Sequence, residues 1–362
     1  MPDKSPSTLV VGLALFAMFF GSGNLIFPLM LGAQYESYFL ICAAGFVITA
    51  VLLPTLGILA MLPAHGHYER LFTDILPEKW YRWFFLLVLI FWIPLGSGPR
   101  CVVLAHASLM NYSPIRPPIW LFSLIFLAIV YASVISRSKV IELLGKYLTP
   151  ALLFSIFCIL ISSFGHGEIK QVDLSARTVF IESVVAGYYT QDLIAAVFFS
   201  SAIVGMLNIN ASNRAAVLKK TWRAGLIAVL LLAILYTALM AASAVHSGSL
   251  HGLSGEKLVS TLAHITLGKA FGGLSSVAVS LACLTTEIAL VIVFADFLGK
   301  HVLHDRNYRH SLLATLLLIW IMSQLEFGGI MAIIAPAMQV IYPILFVLVV
   351  RFIWRSRNQI ME

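Results

Sequence analysis

Apolar residues along the chain gather into long runs separated by short polar stretches. Ten runs, at approximately 9–32, 39–63, 83–110, 118–135, 147–164, 178–209, 222–245, 271–298, 311–328 and 330–350, are candidates to cross a bilayer, whose hydrocarbon core takes a helix of roughly 20 apolar residues. The sixth is the weakest, because its first half carries Glu182. The longest polar stretch, 246–270, is too short for an extramembrane domain. The pattern predicts an all-α polytopic membrane protein, with about ten transmembrane helices in a single transmembrane domain over 1–362.

Composition points the same way. Hydrophobic residues make up 60% of the 362 positions and charged residues 11%, against about 45–50% and about 25% in soluble domains. The mean hydropathy is +0.96. Too few polar residues are available to coat a soluble fold of this size, which excludes a cytosolic enzyme, a disordered chain and a disulfide scaffold. The lipid bilayer is therefore the first expected partner. The net charge of +7 reads as basic cytoplasmic loops rather than as a nucleic-acid surface. Ten spans place 17 of the 23 Lys and Arg on the side of the N-terminus and five on the other, with Arg100 inside a span. That asymmetry predicts N- and C-termini both in the cytoplasm.

Two spans are interrupted. Gly21-Ser22-Gly23-Asn24 sits in the middle of the first, with Pro28 downstream. Glycine is a poor helix former, Ser and Asn offer the backbone competing hydrogen bonds, and Pro28 cannot donate to the carbonyl of Asn24. The expected result is a broken helix. Its first half ends near Phe20 with bare carbonyls, and its second begins near Asn24 with bare N–H groups. A small-residue packing face is the competing reading of this segment. The sixth span is interrupted at Gly187-Tyr188-Tyr189-Thr190-Gln191-Asp192. Asp192 reads as a functional intramembrane carboxylate, as the cap of the second half-helix, or as both. The breaks lie five helices apart, and an odd repeat length inverts the second copy in the membrane.

The eighth span carries Thr285-Thr286-Glu287. Two hydroxyls together with the carbonyls of a broken helix would suit a hard monovalent cation, although Thr in membrane helices also commonly bonds its own backbone. Arg100 and Glu287 are mid-membrane charges that would be expected to pair. The four cysteines are scattered without ligand spacing, and no G-x-S-x-G, H-E-x-x-H or Walker segment occurs, so neither an enzyme nor a cofactor is expected.

The FGSGNLIFP core within 12–32, Pro99-Arg100, GKYLTPALL at 145–153, GYYTQDLIAAVF at 187–198, LACLTT at 281–286 and IYPILFVL at 341–348 occur in that order over nearly the whole chain. Together they resemble the branched-chain amino acid:cation symporters, the bacterial system II carriers. The resemblance implies a LeuT-type fold of five plus five inverted helices, repeat one about 9–164 and repeat two about 178–350, with helices 1 and 6 broken. It implies uptake of Leu, Ile and Val by cation symport across the bacterial inner membrane, with Na+ as coupling ion and H+ or a different neutral amino acid as the alternative. Span five carries only Lys146, at its edge, where some proton-coupled relatives of that fold place a lysine in the ion site. By the same analogy Gly21, Ser22, Gly23, Asn24, Tyr188, Thr190 and Asp192 would hold substrate. Phe20, Gly23, Ala282, Thr285 and Thr286 would hold the ion. The family typically has twelve helices and a Pro-Pro where this chain has Pro28-Leu29. Gln191 stands where Met is usual, and Glu287 where a small residue is usual.

Overall fold

A computed structural model describes residues 6–73, 77–110, 116–135, 140–164, 167–208, 214–271, 273–303 and 308–356. The described residues are helical almost throughout. In chain order the helices are α1 Thr8–Phe19, α2 Ser22–Tyr35, α3 Phe39–Val47, α4 Leu53–Met61, α5 Arg70–Thr73, α6 Glu78–Trp92, α7 Gly98–Met110, α8 Ile119–Val134 and α9 Val140–Glu142. They continue with α10 Thr149–Ser163, α11 Ala176–Tyr188, α12 Asp192–Asn208, α13 Arg214–Val245, α14 Ser247–Leu250, α15 Gly255–Phe271, α16 Gly273–Phe297, α17 Tyr308–Met322 and α18 Phe327–Arg355.

Among the described residues, seven helical stretches are long and apolar enough to cross a membrane: Ser22–Met61, Trp83–Met110, Val140–Ser163, Ala176–Leu207, Ala215–Val245, Gly273–Val302 and Phe327–Arg355. Three shorter apolar helices, Thr8–Phe19, Ile119–Val134 and Tyr308–Met322, accompany them. The ends differ from the hydropathy runs in places. α17 stops at Met322 rather than 328, and α18 runs on to Arg355 rather than 350. α13 begins by Arg214, a turn or two of polar helix before its apolar run.

Three rods widen into a π-helical turn next to a proline. Ile48–Leu52 precedes Pro54, Ile93–Ser97 contains Pro94, and Leu143–Leu148 precedes Pro150. Proline has no N–H and its ring crowds the carbonyl four residues back, so a wider turn relieves the clash without ending the rod. These turns bend the helices that enclose the centre of the protein.

At that centre lie α1 and α12. Residues Ala14 to Phe19 of α1 and Leu193 to Phe199 of α12 are all buried. α1 packs along α13, α16 and the turn at 143–148. Large apolar side chains on the outer helices are instead exposed, including Leu124, Ile129, Phe154, Ile161, Val340 and Val347. This is the inside-out arrangement a bilayer favours, with irregular backbone shielded by protein and apolar side chains turned to lipid.

Close crossings depend on missing side chains. A Cβ on Gly145 would sit 1.9 Å from the Val10 carbonyl oxygen, and one on Gly32 would sit 2.1 Å from that of Met240. Both neighbours are backbone, which cannot rotate away. Gly145→Val is therefore expected to push α1 off the turn at 143–148 and cost about 1–3 kcal/mol or more. The check is the melting temperature of the purified protein in detergent, which should fall. An unchanged value would show that α1 does not depend on this contact.

Candidate functional site

The two interruptions meet at the centre of the protein. α1 ends when Phe20 leaves helical geometry at ψ 78°, and its N–H still donates to the Phe16 carbonyl at 2.8 Å. Gly21 is extended, and α2 starts at once at Ser22. The hinge is thus narrower than the sequence suggests. The second half begins at Ser22 rather than near Asn24, because Ser22, Gly23 and Asn24 form its first turn, where N–H groups have no intrahelical acceptor. Between α11 and α12, Gln191 takes a left-handed conformation with φ 65°. Thr190 Oγ1 donates to the Gly187 carbonyl at 2.8 Å, and the Leu193 N–H donates to Tyr342 Oη at 3.1 Å.

A buried hydrogen-bonded triangle ties the breaks together. Asn24 Nδ2 donates to Asp192 Oδ2 at 2.7 Å and also to Tyr236 Oη, while Tyr236 Oη donates to Asp192 Oδ2 at 3.2 Å. Asp192 is the first residue of α12, and a carboxylate there is favoured by the positive end of the helix. Its side chain reaches across to the other break.

Beside the triangle lies a narrow cavity of about 20 Å³. Gly21, Ser22, Gly23, Asn24, Thr190, Asp192, Arg100 and Thr286 all line it. Tyr188 does not. Its ring packs edge-on against Tyr342, with centroids 4.9 Å apart. The apolar wall includes Met18, Phe19, Trp92, Ala195, Phe199 and Leu290, and none of these stood out in the sequence. Trp92 and Phe199 are packed at 5.5 Å and Phe19 and Phe199 at 5.9 Å. The one available signal was that Trp92 directly precedes the Ile93–Ser97 turn.

Of the threonine pair, Thr286 faces the broken helix and Thr285 bonds its own backbone. Thr286 Oγ1 donates to the Ala17 carbonyl at 3.1 Å and Thr285 Oγ1 to the Ala282 carbonyl at 3.0 Å, with both threonines buried. A Cβ on Gly21 would lie 2.9 Å from Thr286, so the hinge rests on this side chain. The Thr286 hydroxyl and the Ala17 carbonyl thus meet at the junction of α1 and α16, while Thr285 turns back onto its own helix. Among the described residues no group of three or more His, Cys, Asp and Glu could hold a metal ion. The α1 carbonyl bonded to Thr286 is that of Ala17, one turn before Phe20, and sequence reasoning missed it. Gly23 lies against Phe27 and Thr190, on the cavity side of the break. Phe20 is buried with its ring stacked on Phe16 at 5.3 Å.

Arg100 and Glu287 do not pair. Glu287 is fully buried and neither of its oxygens has a hydrogen-bond partner; its Oε1 approaches Gly98, where a Cβ would lie 3.1 Å away. Arg100 follows Gly98 by two residues, about 200° around the helix. Its guanidinium points the opposite way, into the α11–α12 break, where Nη2 donates to Ser97 Oγ and Gln191 Oε1, each at 2.8 Å. The expected ion pair fails on helical direction alone.

Helices broken around one shared cavity form a fold that solved structures share. MhsT in complex with L-phenylalanine matches with a TM-score of 0.65 at 16% identity, over 98% of this chain and 90% of that one. A Na+-coupled sialic acid symporter, in its substrate-bound outward-open state, matches with a TM-score of 0.63 at 14% identity, over 98% and 80%. The chain belongs to the branched-chain amino acid transport protein family, whose sequence profile matches residues 4–360. A Staphylococcus haemolyticus protein named as a branched-chain amino acid carrier is 30% identical over 96% of this chain and 83% of its own length. One from Staphylococcus epidermidis is 30% identical over 97% and 84%. These relatives are transport carriers, not enzymes.

An orphaned buried carboxyl weakens a fold by about 1–3 kcal/mol relative to a partnered or apolar group. Glu287→Met, which keeps the length of the side chain and removes its polar atoms, is expected to leave the melting temperature in detergent unchanged or raise it. A drop of several degrees would show that the carboxyl is partnered in the folded protein.

Proposed function

We propose that the chain is an alternating-access symporter that brings leucine, isoleucine and valine into a bacterial cell, driven by Na+. The observation that carries this reading is the meeting of two backbone breaks at one cavity, with a neutral oxygen cluster at their edge. The spans are then ten, counting α1 with α2 and α11 with α12 as single broken crossings. They group into two inverted repeats, about 9–164 and 178–350, in the inner membrane, with both termini in the cytoplasm.

In this reading the substrate carboxylate meets the free N–H groups of Ser22, Gly23 and Asn24 at the start of α2. The ammonium faces Asp192, the acidic side chain in the cavity wall. The aliphatic side chain rests among Met18, Phe19, Trp92, Ala195, Phe199 and Leu290. Na+ sits between the carbonyls of Ala17 and Ala282 and the hydroxyls of Thr285 and Thr286. Filling that position ties α16 to the hinge at Phe20–Gly21, and so orders the N–H groups that receive the amino acid. Substrate and ion thereby support each other's binding through one piece of backbone. The broken helices then rock against their surroundings to open the cavity to one side or the other.

Proteoliposome uptake of radiolabelled amino acids tests this. Leucine and isoleucine should enter under an inward Na+ gradient with similar affinity, since an apolar pocket separates isomers poorly, and valine, one carbon shorter, about fourfold more weakly than leucine. Alanine should bind about 50-fold more weakly, from about 0.8 kcal/mol for each missing carbon. Uptake that ignores Na+ and follows a proton gradient would replace the coupling ion, and no uptake of these three would remove the substrate class. Thr286→Ala should raise the Na+ concentration for half-maximal uptake about tenfold, the loss of about 1.4 kcal/mol, without lowering the yield of folded protein. An unchanged Na+ dependence would make the threonine pair structural only.

A further inference from the structure

Arg100 has no carboxylate within ion-pair distance among the described residues, although it is only 1% exposed. A guanidinium is charged at any physiological pH, so a buried one without a counter-ion is expensive. Its partners are all neutral. Nη2 meets Ser97 Oγ and Gln191 Oε1, Nη1 reaches the Tyr189 carbonyl and Met331 Sδ only at 3.5 Å, and Nε has no partner at all. Donors are left over on a side chain that lines the central cavity.

The position of Arg100 says what those donors are for. Its neighbour Cys101 approaches Ser22 Oγ at 3.8 Å, so this turn of α7 stands against the first turn of α2. Across the break, the residue after Gln191 is Asp192, which lines the same cavity and is engaged by Asn24 and Tyr236 rather than by Arg100. The cavity therefore carries one fixed cation and one fixed anion that do not neutralise each other directly. A zwitterion, with its own two charges held apart, is the solute that satisfies both.

Building on the amino acid reading above, we propose that Arg100 is a substrate-binding residue that clasps the α-carboxylate alongside the α2 N–H groups. Without substrate, Gln191 Oε1 stands in for that carboxylate. Gln191 is held in its left-handed conformation by the bonds its side chain accepts from Ser97 and Arg100. When the carboxylate takes over the guanidinium, Gln191 loses a partner and the α11–α12 break is freed to change shape. Arrival of substrate is thus transmitted to the second broken helix through one arginine and one glutamine.

Leucinamide keeps the ammonium and side chain of leucine and lacks the carboxylate, so it separates this role from a structural one. Binding of both compounds to purified protein in Na+ is measured by isothermal titration calorimetry. Wild type should prefer leucine by at least about tenfold, as expected for a charge-assisted bond. Arg100→Gln should lose leucine affinity until the two compounds differ by no more than about threefold, with leucinamide affinity little changed. Arg100→Lys, which keeps the charge but not the planar fork, should fall between them, and it serves if the glutamine variant does not fold. Equal losses for both compounds, or no loss for either, would overturn the assignment. So would a requirement for chloride over gluconate that disappears in Arg100→Gln, which would make an inorganic anion the ligand. Wild type that binds no leucine would instead overturn the functional reading on which the assignment rests.

Discussion

Everything in this protein depends on how it tolerates unpaired backbone inside a membrane. Lipid offers no hydrogen bonds, so each bare N–H or carbonyl in the hydrocarbon region must find a partner in the protein or face a water-filled cavity. Here both breaks in the helical ladder are brought to the same buried place. α1 and α12 are wrapped by other helices, loose backbone ends are met by Tyr342 and Thr286, and the Asn24–Asp192–Tyr236 triangle ties the two breaks together.

The arrangement divides the labour by charge type. At the junction of α1 and α16 the Ala17 carbonyl and the Thr286 hydroxyl are neutral oxygens. The start of α2 offers neutral N–H donors, and among the residues lining the cavity full charges appear only at Asp192 and Arg100. Under the proposed function, a small cation and an amino acid zwitterion would occupy adjacent positions without competing for one ligand. The hinge at Phe20–Gly21 is common to both, and a Cβ on Gly21 would collide with Thr286, so the ion position and the hinge cannot be altered independently.

Much of this was legible in the sequence because it rests on local chemistry. Gly-Ser-Gly-Asn before a proline cannot sustain a helix, an aspartate in a weakly apolar span needs a reason, and two adjacent threonines at mid-span are visible as hydroxyls. What escaped depends on direction around a helix or on contacts between distant segments. The Ala17 carbonyl looks like any other until Thr286 is placed beside it. Trp92 and Phe199 read as ordinary membrane aromatics. Arg100 and Glu287 seemed natural partners by depth, yet they face opposite ways because the turn at Ile93–Ser97 and two residues of α7 decide the heading of each contact. The expectation that Tyr188 would face substrate met the same obstacle, since its ring turns to Tyr342.

The most direct test is an experimental structure determined with leucine and Na+ present. The account predicts leucine between residues Gly21–Asn24 and Thr190–Asp192, and a cation between the Ala17 carbonyl and the Thr286 hydroxyl. An uninterrupted helix from Thr8 through Tyr35, or leucine seated outside the space between the two breaks, would contradict it.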